Sequence, residues 1–233
     1  MLYTLPTYVI HYTPLTERKK NIEKFFSSEF FNLKFIEDYD KEKIGNGHPS
    51  SQYKRNKNLF KEKTRLWKSD AIEEYKLFEG EISCLLKHVE ALRIISESKE
   101  EIALIVEDDV LPVKRNFEKK LKKILKKRVD WKIIFIGQGA GKKYLVKKVG
   151  FFNRNLKRGL IRVDHPGSNC TEAILIKKPF AISLLKELEN FNLPYDWELA
   201  HILFKLNEKP YWFLPQIFKQ GSRSGNYSSE IKK

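Results

Sequence analysis

The sequence holds only two cysteines, Cys84 and Cys170, far apart and without the close pairing of a metal knuckle, which argues against a disulfide scaffold or a zinc-finger module. No apolar run approaches the roughly 18 residues of a membrane span, and Met1 to Pro6 lack the basic-then-apolar layout of a secretory leader. The cytoplasm is therefore the expected location. Acid is in short supply: 30 Asp and Glu face 45 Lys and Arg, a net charge of +15 on 233 residues, and such a surface favours anionic partners such as nucleic acid, anionic lipid or phosphorylated small molecules. No RNP, KH or zinc-finger signature accompanies that charge. With no internal repeat and no clear internal boundary, residues 1–233 read as one domain, and 16 Phe, 10 Tyr and 4 Trp supply large side chains for its core.

The most informative stretch is Ile102 to Pro112. Five apolar residues run unbroken from Ile102 to Val106, the pattern of a strand buried on both faces. Glu107, Asp108 and Asp109 follow at once. Adjacent carboxylates repel each other and resist desolvation, so the stretch is either a solvated acidic turn or a platform for a divalent cation at the carboxyl edge of a sheet.

The flanking pattern is that of an α/β protein. Thr7 to Tyr12 reads as a strand, Thr13-Pro14 as a helix start, Leu15 to Phe30 as an amphipathic helix and Leu33 to Glu37 as a second strand, a βαβ crossover of the kind that builds parallel sheets. Residues 38–79 read as an insertion, with Lys41 to Lys63 an extended loop and Thr64 to Phe78 a short helix. Glu81 to Ser96 is the clearest helix, with His88 beside its apolar stripe. Phe117 to Val129 is another, its outer face carrying Lys119, Lys120, Lys122, Lys123, Lys126 and Lys127. Lys132 to Ile136 and Ala173 to Ile176 are further buried strands; the first ends in Gly137-Gln138-Gly139-Ala140-Gly141, a weak phosphate-cradle signal because the spacing is not GxGxxG. Lys142 to Ile161 is a mixed basic segment, Asp164 to Asn169 a turn, and a helix starts near Pro179. Asp196 is placed to cap the next helix, Tyr211 to Leu214 is a late strand, and 216–233 reads as a polar tail.

Hard oxygen donors such as Glu107 and Asp109 suit Mg²⁺ or Mn²⁺, which bind through a few carboxylates together with substrate phosphates and water. Four motifs in order then carry a resemblance: Gly80-Glu81-Ile82-Ser83-Cys84-Leu85-Leu86-Lys87-His88, the strand ending Glu107-Asp108-Asp109-Val110, Asp130-Trp131 before Lys132 to Gly137, and Asp196-Trp197-Glu198. Together they resemble glycosyltransferase family 25, the bacterial lipooligosaccharide galactosyltransferases and their collagen-glycosylating relatives. Tyr8-Val9-Ile10 with Glu17-Arg18 is similar to that family's opening strand and the arginine after it. The resemblance implies a GT-A-like nucleotide-binding domain with a mostly parallel central sheet flanked by helices, a UDP-sugar donor, and transfer with inversion to a saccharide or glycolipid acceptor. It implies that Asp109 and Glu107 hold the metal, that Glu107, Asp108, Arg18, His88 and Gln220 lie at the donor, and that Asp196 takes the acceptor's proton. Two departures stand out: Cys170-Thr171-Glu172-Ala173 replaces a small Gly-Thr-x-Ala-like run, adding the Glu172 carboxylate near the expected sugar pocket, and Lys87 stands where a small residue is common.

The competing readings are a basic nucleic-acid-binding protein, a metal-dependent nuclease using Asp164 or Asp196 as further ligands, and a related protein that binds a donor without turning it over. The sharp feature is acidic, which disfavours nucleic acid. The basic helix face suggests a peripheral stay at an anionic membrane.

Overall fold

The structure, a computed structural model, describes residues 4–44, 53, 56–65, 76–139, 159–165 and 170–231. The opening βαβ unit forms as expected. Strand β1 (Leu5–Ile10), helix α1 (Thr16–Phe25) and strand β2 (Phe31–Ile36) place the two strands in parallel, from Leu5 opposite Phe31 to Ile10 opposite Ile36. Helix α1 starts later than Thr13-Pro14 would set it, because the Thr13 hydroxyl is drawn across to the Asp40 carboxylate.

The insertion departs from expectation. Lys41–Ile44 forms a helical turn, α2, and Lys57–Thr64 forms α3, where a loop was expected. The Asn56 side chain accepts from the Asn58 and Leu59 N–H groups, and Lys63 meets Glu198 at 2.7 Å in the interior. A cap and a tertiary ion pair set this helix, and neither leaves an apolar stripe to read. The expected helix over 64–78 is not seen at 76–78, and 66–75 lie outside the described residues.

Helix α4 (Glu79–Glu97) leads into β3 (Ile102–Glu107), β4 (Val110–Pro112), α5 (Phe117–Leu125) and β5 (Ile133–Phe135). Then come β6 (Gly159–Arg162), β7 (Ala173–Lys177), α6 (Lys178–Glu187), α7 (Tyr195–Lys205), β8 (Tyr211–Leu214) and β9 (Phe218–Gln220). Seven strands form the main sheet in the order β2-β1-β3-β7-β5-β8-β6; five point the same way, and β7 and β6 run against them.

Side chains alternate across this sheet with the period of two that a pleated strand imposes. Tyr8, Ile10, Ala103, Ile105, Ile133, Phe135, Ile174 and Ile176 pack toward α4, α6 and α7. Leu5, Val9, Leu104, Val106, Ile134, Leu175 and their neighbours pack toward α1 and α5. Both faces are covered, which explains the unbroken apolar runs. The fold is α/β, a large, mostly parallel central sheet flanked by helices.

The end of the chain is not a free polar tail. Strand β9 pairs antiparallel with β4, Gln220 opposite Val110, and Phe218 is fully buried against Phe26 and Phe117. Tyr227 and Ile231 return to the main body, beside Arg18 and Gly80 respectively. The Gly137 turn is described as far as Gly139, and most of Lys142 to Ile161 lies outside the described residues. Among the described residues no helix is long and apolar enough to cross a membrane.

Candidate functional site

Strands β1, β3 and β5 end at one edge of the sheet, and antiparallel β7 begins there. This topology delivers His11 and Tyr12 after β1, Glu107 to Asp109 at the end of β3, Gly137 to Gly139 after β5, and Thr171 and Glu172 ahead of β7. The carboxyl edge of an open sheet is where α/β folds take ligands. A cleft of about 540 Å³ opens there, lined among others by Arg18, Cys84, Lys87, Glu107, Asp108, Asp109, Asp196, Gln220, Ser222 and Arg223. Of the site residues expected from sequence, all but His88 line it; His88 is wholly buried, its Nε2 3.7 Å from Glu107 Oε1.

The three consecutive acids have different surroundings. The Asp108 carboxylate accepts from Arg18 Nη1 at 2.7 Å, pairs with His11 Nδ1 at 2.9 Å, and accepts from the Tyr12 N–H at 3.1 Å. It joins the two loops and holds Arg18, which also donates to the Ser228 carbonyl at 2.5 Å and lies over the Tyr227 ring. Asp109 accepts the Ser222 N–H and hydroxyl on Oδ2, at 3.1 and 2.6 Å, while its buried Oδ1 has no partner. Glu107 accepts from Thr171 Oγ1 at 3.0 Å and from Gln220 Nε2 at 3.5 Å; the Gln220 Oε1 is buried and unpartnered. Two acceptor oxygens, Asp109 Oδ1 and Gln220 Oε1, are thus left unsatisfied beside Glu107. Buried acceptors normally find a donor or a cation.

Burial governs the electrostatics. It raises the Glu107 carboxyl well above its usual range, reinforced by Asp109 and Glu172 and opposed by the Thr171 hydrogen bond. Asp109 is raised by burial and by Asp108 against the Ser222 bonds and Arg18. Asp196 is raised by burial against the N–H groups of Cys170 and Trp197 and the Arg223 charge. The cleft therefore concentrates carboxylates that resist ionising together, a situation a divalent cation reverses. Burial also takes the His88 imidazole down to about 3, so it is neutral.

Asp196 is not the helix cap. Pro194 occupies that position, and Asp196 sits in the first turn of α7, its Oδ2 3.4 Å from the Cys170 N–H. Glu172 does not line the cleft. Its carboxylate accepts the Gly139 N–H at 2.8 Å and fills the space a Cβ on Gly137 would need, only 2.4 Å away, so the glycine turn and the extra acid are one packing unit. Lys87 is explained as well: its Nζ donates to the His11 carbonyl at 2.6 Å and to Asp40 at 2.7 Å, joining α4 to the cleft wall.

Sequence reading did not single out His11, Ser222, Arg223 and Tyr227. One signal was available for the last three. Gly221 lies where a Cβ would come within 2.6 Å of the Asp109 carbonyl, a close backbone approach of the kind that calls for glycine, and it marks the segment after Gln220 as packed rather than free. Cys84 and His88, one turn apart on α4, lie together with Glu107 in a group whose donor atoms could hold a metal ion.

Residues 4–198 match the family model described as Glycosyltransferase family 25 (LPS biosynthesis protein). No curated protein matches the chain. A solved structure titled Crystal Structure of A197 from STIV is similar over 90% of this chain and 81% of its own, at 12% identity and a TM-score of 0.37. The family match takes in β1, the Glu107-Asp108-Asp109 edge and the start of α7. The chain belongs to glycosyltransferase family 25 and is a glycosyltransferase, an enzyme that moves sugar from a donor to a saccharide acceptor.

Proposed function

We propose that the chain moves a hexose, galactose or glucose, from a UDP-sugar to a saccharide acceptor such as lipooligosaccharide or another cell-surface glycan, with inversion and with Mn²⁺ or Mg²⁺ at the acidic end of β3. The observation that carries this reading is the pair of buried, unpartnered oxygens, Asp109 Oδ1 and Gln220 Oε1, beside Glu107 in the cleft. An all-oxygen set of carboxylate and amide groups fits Mg²⁺ or Mn²⁺. Asp109 and Glu107 would hold the ion, with Gln220 completing the protein's share. When bound, the ion neutralises the donor's diphosphate and the charge that gathers on the departing phosphate oxygen.

The chain's own residues do the rest. Arg18, fixed by Asp108 and Tyr227, and Arg223, which also lines the cleft, present cations to the diphosphate. His88, buried behind Glu107 and outside the cleft lining, makes no direct contact with the donor in this reading. Asp196 accepts the proton of the acceptor hydroxyl as its oxygen bonds to the anomeric carbon and the carbon–phosphate-oxygen bond breaks, UDP leaving with the bonding electrons. Its raised proton affinity suits that role. The exposed lysines of α5 and of the turn after it, Lys119, Lys122, Lys123, Lys126 and Lys127, fit a glycolipid acceptor held at an anionic membrane face.

The test is UDP release from UDP-galactose, UDP-glucose and their N-acetyl forms with and without Mn²⁺, followed by anomeric assignment of the product. Turnover of one of the two hexose donors with inversion is expected. No turnover and no binding of any donor would remove the reading, and tight salt-sensitive binding of DNA or RNA would favour the nucleic-acid alternative.

A further inference from the structure

Behind the oxygen-rich mouth of the cleft lies a second group of donors with different chemistry. Cys84 and His88 stand four residues apart on α4, so their side chains share one helix face. Both ring nitrogens of His88 are buried without a hydrogen-bond partner among the described residues. The ring is held flat against Tyr195, with centroids 3.9 Å apart and planes inclined by 14°, so it has little freedom to seek a partner elsewhere. Its Nε2 faces Glu107 Oε1 across 3.7 Å, too far for a hydrogen bond. One donor atom from each of Cys84, His88 and Glu107 lies within 4.8 Å of the other two.

We propose that Cys84 Sγ, His88 Nε2 and Glu107 Oε1 bind a divalent cation of the zinc class. Bonds of about 2.0–2.3 Å to sulfur, nitrogen and oxygen would draw these atoms to roughly 3.3–3.7 Å from one another, a closure of about 1.5 Å at most, within reach of rotation of the Cys84 and Glu107 side chains. The donor set excludes a magnesium-class ion, which takes oxygen throughout, and matches the thiolate–imidazole–carboxylate preference of Zn²⁺ and Co²⁺. Cys84 and Glu107 also line the cleft, so the fourth coordination position opens toward it, as in zinc sites that keep a place for water or substrate. On binding, the Cys84 thiol gives its proton to solvent as the sulfur–metal bond forms. Glu107 Oε2, near Gln220 Nε2, remains turned to the outer oxygens, so the inner site stands whether or not the outer one carries the transferase chemistry.

The experiment is a Co²⁺ titration of the metal-stripped full chain in excess Mg²⁺, read by thiolate-to-cobalt charge-transfer absorption and by metal stoichiometry in native mass spectrometry. One equivalent with a charge-transfer band, displaced by Zn²⁺, is expected. Cys84→Ser should abolish the band and His88→Ala should weaken binding at least tenfold, both with cooperative unfolding retained, while Asp109→Asn and Cys170→Ser keep the band. Absence of the band in the unmodified protein, its survival in Cys84→Ser, or its loss in Cys170→Ser would overturn the proposal. Because the readout is binding, failure here is distinct from failure to turn over a UDP-sugar.

Discussion

Lys87→Met is the perturbation whose size the structure defines best. The Lys87 ammonium and the Asp40 carboxylate are 2% and 4% exposed, and the ammonium also satisfies the His11 carbonyl. Methionine fills much of the same volume but leaves Asp40 charged in the interior with Thr13 as its remaining partner. Breaking a buried pair from one side costs about 3–5 kcal/mol, which for a domain of this size lowers the unfolding midpoint by roughly 6–20 °C. The companion Asp40→Asn change in the Lys87→Met background removes the stranded charge. A double-mutant cycle by chemical denaturation should therefore show a coupling of about 2–3 kcal/mol. The acid limb gives a second readout. Burial alone would raise the Asp40 carboxyl, but hydrogen bonds from Lys87 and Thr13 outweigh it and hold the carboxyl below its ordinary value. A lowered carboxyl stabilises the fold above the ordinary carboxylate range and loses that contribution as pH falls through the folded value. In Lys87→Met the dependence should reverse, with stability gained on protonating Asp40. A Lys87→Met loss under about 1 kcal/mol, the size of a surface pair, or a strictly additive cycle would refute this account of the cleft wall.

Two further outcomes follow from the same geometry. Gly137→Ala would place a methyl 2.4 Å from Glu172 Oε1 and should cost about 1–3 kcal/mol as an overpacked site; thermal unfolding should show that Glu172→Ala, but not Glu172→Gln, relieves the clash. Glu107, Asp109, Glu172 and Asp196 all have raised carboxyl values in the folded chain, so without divalent ions the folded state holds more protons than the unfolded one, and stability should fall as pH rises from the ordinary carboxylate range through those raised values. Added Mn²⁺ should offset that fall, most strongly at the higher pH, in a denaturation series taken with and without the ion.

The main chain was legible where one face or both faces of an element are apolar. The runs Ile102 to Val106 and Ala173 to Ile176 could be read as strands buried on two sides, and the α4 stripe from Ile82 to Ile95 as a helix, because burial writes its period directly into the sequence. Helix α3 was not legible, since an Asn cap and the Lys63–Glu198 pair define it. The packed end of the chain was misread for a related reason. Few of its residues are apolar, and it is held by Ser222 on Asp109, by the Arg18 bond to the Ser228 carbonyl, and by pairing with β4, contacts between residues about a hundred or more positions apart. At the site itself, Glu107, Asp109, Asp196 and Gln220, assigned to the site through the family resemblance and not by composition or periodicity, all line the cleft. The distinct task of Asp108 in holding Arg18 and His11 needed the tertiary structure.

The central claim is that the acidic end of β3 holds a divalent ion that in turn holds a sugar nucleotide. Its most direct test is Mn²⁺-dependent UDP release by Asp109→Asn against the unmodified chain, with cooperative unfolding confirmed for both. The account predicts a loss of at least about a hundredfold in the variant, the several kcal/mol an ion contributes to a departing phosphate, and a matching loss in the unmodified chain under chelator. Full turnover by Asp109→Asn, or by the unmodified chain stripped of divalent ions, would contradict it.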